Sequence, residues 1–538
     1  MPDTRTTLLL GGRIHTPSSP DATAMAVTGD TVVWVGQDGP GRALHPDAEV
    51  IDLGGAFVAP AFVDAHVHAT ASGLHLAGLD LTGIRGPGEL LAAVRAAARP
   101  GEVLIAHGWD ESGWTDTRIP SRAELDEAAG PVPVYLSRVD VHSALVSTAL
   151  VELAPSARTA DGWSERGPLT RGAHHLARAA ARAAISAAQR QQAQRAFLRT
   201  AARNGVVSLH ECAGPDISGE QDLADLIDIA AAEDMPEVVA YWGEPGAVAT
   251  ARRLGARGLA GDLFVDGALG SHTAALCSPY TDRPDTSGVR YLDADTIAGH
   301  LIECTEAGLQ AGFHVIGDAA VTEVVRGFEL AEQAVGKRAL AARGHRLEHL
   351  EMVTAGQARA LAGWNVAASV QPLFDAAWGG AEGMYAARLG PERAAGLNPF
   401  ATLAAEGVPL AFGSDTPVTP LDPWAAVRAA VHHHTPGAGL SARAAFNAHT
   451  RGAHRAAGVA DGTTGSLVPG APAHYAIWEA EELVVVAGDA RVQRWSTDPR
   501  SRVPGLPPLD PGGPLPRCLR TVRAGRVIHD ESPLKLNR

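Results

Sequence analysis

Two histidines one residue apart, His66 and His68, close a short apolar run, Ala59-Pro-Ala-Phe-Val-Asp-Ala-His-Val-His68. On a β-strand, residues two apart project from the same face, so both imidazoles can reach one point. Two neutral imidazoles converging at a strand end suit a zinc-type cation. An ordinary polar strand exit has the same pattern, so the pair by itself leaves both readings open. Three further residues shift the balance. His314 sits in Gly312-Phe-His-Val-Ile-Gly-Asp318, His349 in Arg346-Leu-Glu-His-Leu-Glu351, and Asp415 in Phe412-Gly-Ser-Asp-Thr-Pro417. Each closes an apolar run of its own. Buried polar groups left unpaired cost about 1–3 kcal/mol each, and a shared cation would satisfy the whole set.

Such residues need elements that bring their tips together. Eight apolar runs with polar ends recur along the chain: Phe62–His68, Val206–Glu211, Glu237–Trp242, Asp262–Asp266, Gly312–Asp318, Arg346–Glu351, Ala367–Gln371 and Leu410–Asp415. Most are separated by Ala-rich, helix-prone stretches such as 179–203, which stops at Asn204-Gly205. Eight alternating units predict an α/β fold, a (β/α)8 TIM barrel over residues 59–464. Barrel chemistry gathers at the carboxyl ends of the strands, where these residues fall. About 135 residues separate the first run from the second, far more than a βα loop needs. Residues 72–195 therefore read as a folded insertion after the first barrel strand, emerging at the active-site face and covering it. Strand-like Val103–His107 and Val132–Leu136 and helix-like Glu89–Ala98 lie within it. Short β-rich segments in 1–58 and 465–538, split by Gly and Pro, predict a small composite β-sandwich domain built from both ends.

Composition narrows the function classes. The chain has 538 residues, 46% of them hydrophobic, enough for a large core and against overall disorder. A formal charge of −15 argues against nucleic acid as a partner, since phosphate binding needs clustered Lys and Arg. The four cysteines, Cys212, Cys277, Cys304 and Cys518, form no C-x-x-C pair, which argues against a disulfide framework or a zinc knuckle. No signal-like start and no long apolar run are seen. The expectation is a cytoplasmic protein acting on a small-molecule substrate, away from membranes, with a homodimer as the default assembly.

Taken in order, the segments resemble the amidohydrolase superfamily, in the amidohydrolase-3 branch that includes N-substituted formamide deformylases. The resemblance rests on Asp64-Ala-His-Val-His68, Asp140-Val-His142-Ser-Ala, Leu263-Phe-Val-Asp-Gly-Ala-Leu-Gly-Ser271, His314-Val-Ile-Gly-Asp318, Glu348-His349, Gly413-Ser-Asp-Thr-Pro417 and Gly465-Ser-Leu-Val-Pro-Gly470. It implies a metal-dependent hydrolase of non-peptide carbon–nitrogen bonds, of amide or N-formyl type. It implies His66 and His68 as first-strand ligands and His314 and His349 as the fifth- and sixth-strand histidines. Asp415 is then both a ligand and the acceptor of the attacking water's proton, with His349 as its catalytic companion. A bound cation, zinc by ligand type, lowers the pKa of water towards ~7, and the carboxylate takes the remaining proton.

One departure bears on the metal count. Family members with two metals carry a carboxylated lysine where this chain has Asp262. The aspartate side chain is far shorter, so the expectation is one zinc per chain, held by His66, His68, His314 and Asp415. His349 is then a further ligand or is freed to orient water or substrate. Asp262, Glu211 and Asp266 are the candidates for a bridging or outer role if two cations are held. The one-metal reading also admits deamination of a ring amidine, and a non-catalytic metal-binding scaffold is the alternative of a different class. Substrate-contact candidates are Asp140, His142, His272, Trp109 and Asp318, with Trp114 as a further pocket-lining or core residue. His432–His434 reads as a polar surface patch, since consecutive helical positions point about 100° apart.

Overall fold

A computed structural model describes residues 5–111, 114–138, 143–215, 217–485, 503–531 and 536–537. Asp140 and His142 lie outside the described residues. The chain forms two compact units, Met1–His68 with Leu198–Arg538, and Ala69–Phe197.

In the first unit, eight strands form one sheet in sequential order: β1 (Phe62–Val67), β2 (Val206–Ala213), β3 (Glu237–Trp242), β4 (Gly258–Leu259), β5 (Gln310–Val315), β6 (Arg346–His349), β7 (Ala367–Val370) and β8 (Leu410–Phe412). Every pairing is parallel. The sheet closes beyond its carboxyl ends, where the Asp415 amide donates to the His66 carbonyl (2.8 Å) and the His68 amide to the Thr416 carbonyl (3.1 Å). This is a (β/α)8 barrel. All six residues of β1 are buried, as expected of a strand covered on both faces. Val63 and Ala65 pack outward against Ala367, Ala411 and Ala453, so strand alternation turns Asp64 and His66 inward.

The fourth strand differs from expectation. Gly258–Leu259 makes the ladder between β3 and β5, and the Asp262–Asp266 run adds only isolated bridges, Phe264 in parallel to His314 and Asp266 to Arg290. The chain then folds back at Asp262, with Gly261 at φ +86° and a Leu263 amide to Gly261 carbonyl bond of 2.8 Å, a γ-like turn. Glycine is required at 261, because a Cβ there would lie 2.9 Å from the Cβ of Cys212. Beyond the turn, Leu263 and Val265 bond to the His314 backbone at 2.9 Å on β5. The Ala-rich stretch before β2 is two helices, Arg171–Ala183 and Ala187–Arg203. The second stops at Asn204-Gly205, with Gly205 at φ +75°.

Two five-stranded sheets complete the first unit. One contains Thr6–Leu10, Ala24–Thr28, Thr31–Gly36 and Glu49–Asp52; the other contains Phe57–Pro60, Tyr475–Glu479, Arg517–Arg523 and Arg526–Asp530. Leu9, Met25 and Ile51 from one sheet share a core with Val58, Ile477 and Val522 from the other. The Ala69–Phe197 unit has a five-stranded sheet of its own, centred on Leu104–Trp109 and Val134–Arg138. Its helix Arg122–Ala129 starts at a capping box between Ser121 and Glu124. Among the described residues no helix is long and apolar enough to cross a membrane.

Candidate metal centre

The barrel brings together His66, His68, His314, His349 and Asp415 from the ends of β1, β5, β6 and β8. His66, His68 and Asp415 offer ligand atoms within 4.8 Å of one another, and so do His66, Asp262 and His349. Asp415 Oδ1 lies 3.5 Å from His66 Nε2 and 3.2 Å from His68 Nε2. Two of these positions need unusual backbone. His349 has φ +71° and Asp415 φ +54°, conformations that non-glycine residues adopt at a cost. At His349 the change of hand breaks strand alternation, so neighbouring Glu348 and His349 both reach the barrel interior.

Asp262 is in the middle of this group. Its Oδ1 lies 3.5 Å from His66 Nε2 and 3.6 Å from His314 Nδ1, and its Oδ2 lies 3.2 Å from His68 Nε2. Against the expectation from its length, the short side chain reaches the histidines. The turn at Gly261 carries the backbone inward, so the aspartate needs no lysine-length reach.

The residues fit a divalent cation. His66 Nε2, Asp262 Oδ1 and His314 Nδ1 are buried, lack a hydrogen-bond partner and face one another. The opposite ring atoms are occupied, which sets the tautomers. His66 Nδ1 is 2.9 Å from Glu348 Oε2, and His349 Nδ1 is 2.8 Å from Gln371 Oε1. Each therefore presents Nε2 to the centre. His314 Nε2 lies 3.5 Å from the Gly267 carbonyl and presents Nδ1. The electrostatics agree. Burial disfavours charge on His66, yet Cys212, Asp415 and Asp262 hold its pKa well above the ordinary range. Burial also opposes charge on His68 and His314, but the neighbouring carboxylates, Asp262 first among them with Asp415, together raise both. Asp262 and Asp415 stay ionised against burial because imidazoles surround them. His349 is lowered to about 4, by burial and then by His314, and keeps its lone pair. The pocket stabilises positive charge, and a cation can take the place of the protons.

The sequence model of the amidohydrolase family matches residues 49–529. The chain belongs to this family, in its amidohydrolase-3 branch. This amidohydrolase is 28% identical over 516 residues to Protein LONG AFTER FAR-RED 3 of Arabidopsis thaliana, covering 87% of this chain and 86% of the relative. It is 24% identical over 464 residues to N-substituted formamide deformylase of Arthrobacter pascens, covering 79% and 84%. Among solved structures, an uncharacterized metal-dependent hydrolase from Pyrococcus furiosus superposes with a TM-score of 0.76 at 28% identity, covering 88% of this chain and 98% of that one. The amidohydrolase is a metal-dependent hydrolase of carbon–nitrogen bonds.

Other expected site residues of the amidohydrolase have structural roles. Trp109 is fully buried in the core of the Ala69–Phe197 unit, and its indole N–H donates to the Leu136 carbonyl at 2.9 Å, so it lines no substrate pocket. Trp114 packs in the same core. Glu211 lies between His210 and Cys212, which face Arg346 and His66 inside the barrel, so alternation turns it to the other face and away from any bridge. Asp266 is buried and accepts the amides of Ala275, Ile316 and Gly317 at 2.8–3.0 Å, a clamp on the loop after β5 and not a ligand. Asp318 accepts the amides of Cys277 and Ala319, which commits its carboxylate to the backbone. His272 Nε2 is held at 3.1 Å by Asp282, which also pairs with Arg388. The His432–His434 patch is only partly surface: the His433 side chain is 2% exposed, and His433 and His434 both hold Asp375.

Sequence reasoning gave no role to Arg346, Glu348 or Gln371, which surround the ligands. The signal was two charges, Arg346 and Glu348, two apart on a strand otherwise buried. Interior strands carry such a pair only when each charge has a partner.

Proposed function

We propose that this amidohydrolase cleaves the carbon–nitrogen bond of a small amide or N-formyl substrate, and that Asp262 and the surrounding histidines would together hold two zinc ions. The reading rests on the Asp262 carboxylate, whose oxygens lie 3.2–3.6 Å from ring nitrogens of His68, His66 and His314. His66, His68 and Asp415 would hold one ion and His314 and His349 the other, an N/O ligand set that suits zinc. Bound cations supply activated water near neutral pH and polarise the scissile carbonyl. Asp415 accepts the proton of the attacking water and returns it to the leaving nitrogen. Its Oδ1 faces His66 and His68, which leaves Oδ2 to carry that proton. Phe264, 36% exposed with its ring 4.6 Å from that of His314, offers an apolar contact for a substituent on the substrate. Similarity to N-substituted formamide deformylase supports the N-formyl class.

The test is a panel of N-formyl and N-acyl amines assayed with zinc-replete protein, alongside elemental analysis. Turnover with two zinc per chain is expected. No turnover on the whole panel in fully loaded protein would sink the substrate assignment.

A further inference from the structure

We propose that the two halves of the metal centre bind zinc with unequal affinity, the His66 half tightly and the His314/His349 half loosely, and that Glu348 sets the difference. This rests on the two-zinc reading above. Behind His66 stands an anion. Glu348 Oε2 is 2.9 Å from His66 Nδ1, and the glutamate is locked by Arg346, whose Nε donates to Oε1 at 2.6 Å and whose Nη2 donates to Oε2 at 2.8 Å. Both side chains are fully buried. Arg346 is fixed in turn: Nη2 donates to the Ala65 carbonyl at 2.6 Å, Nη1 lies 3.1 Å from His210 Nδ1, and the guanidinium stacks 4.3 Å from the Tyr241 ring centroid. The ion pair is neutral overall, and its anionic end rests on the imidazole.

Behind the other half stand neutral dipoles. His349 Nδ1 is 2.8 Å from the Gln371 amide oxygen, and His314 Nε2 is 3.5 Å from the Gly267 carbonyl, a long contact. A carboxylate accepting the N–H of a ligating imidazole makes the ring a stronger donor to the cation than a neutral acceptor does. Glu348 is thus a positioning residue that acts through His66, and Gln371 is its weaker counterpart behind His349.

The experiment titrates chelator-stripped, full-length protein with zinc alone, against a competing chromophoric chelator. Two binding steps are expected, at least about tenfold apart. Glu348→Gln should weaken the tight step by about 10–100-fold and leave the loose one. Gln371→Glu should tighten the loose step. This gain needs no lost ion pair, so it remains informative if Glu348→Gln fails to fold. Two equal steps would overturn the asymmetry, and two unequal steps that neither substitution moves would overturn the role of Glu348; both outcomes keep the two-zinc reading. Saturation at one zinc per chain would overturn that reading and this inference with it.

Discussion

The interior of the barrel holds Arg346, Glu348, His66, His349 and Asp415, whereas the interior of the Ala69–Phe197 unit holds Leu90, Val94, Leu125, Leu136 and Trp109. Arg346, Glu348 and the Nδ1 atoms of His66 and His349 each have a specific partner, and those partners cannot be exchanged without leaving a charge or a donor unpaired. The apolar interior needs only volume, and hydrophobic residues of similar size can replace one another at modest cost. The barrel interior has therefore given up interchangeability to hold a charged centre, and the second unit has not.

That contrast can be broken by experiment. Asp415→Asn should lower turnover by about 10²–10⁴-fold while the protein stays folded; activity close to wild type would move the proton acceptor to another residue. Arg346→Leu strands the Glu348 carboxylate and should cost about 3–5 kcal/mol in urea unfolding. Leu136→Ala, in the apolar interior, should cost about 2–5 kcal/mol through its cavity and leave bound metal per folded chain unchanged. A fall in metal content there would show that the two interiors are not independent.

Acid should act next, through the buried neutral histidines of the first unit. Burial holds His345 at about 3 and His15, His449, His454 and His474 at about 4, all below the ordinary 6.5. Between those limits the unfolded chain binds protons that the folded chain does not. Stability from these groups is complete above pH 6.5 and is lost as pH falls towards 4. Melting temperature should drop steadily from pH 7 to pH 5, and a flat profile would contradict the buried neutral state of these rings. The smallest effect is expected at the surface, where Glu406→Gln removes the Arg359 ion pair and should cost no more than about 1 kcal/mol.

Much of the centre was legible because its chemistry is local. His66, His68, His314, His349 and Asp415 close apolar runs, and a run that ends in a ligand-type residue announces both the strand and its exit. Errors arose where position depended on a turn or on a face. Side-chain length puts Asp262 out of reach of the histidines, and the backbone fold at Gly261 supplies the missing distance. Glu211 had a suitable type on a suitable strand and points the wrong way, beside the inward Cys212. Trp109 could have lined a pocket or filled a core, and only its bond to Leu136 decides.

By itself the sequence determined the barrel, the family and the polar residues that close its strands, because periodicity and residue type are properties of short segments. Tertiary structure alone decided that Asp262 lies among the histidines, that Glu348 and Gln371 bond to His66 and His349, and that Asp266 and Asp318 accept backbone amides. Those outcomes depend on distances between atoms from different strands. Such distances are set by turns, φ signs and closure of the sheet, none of which is encoded in one residue's type.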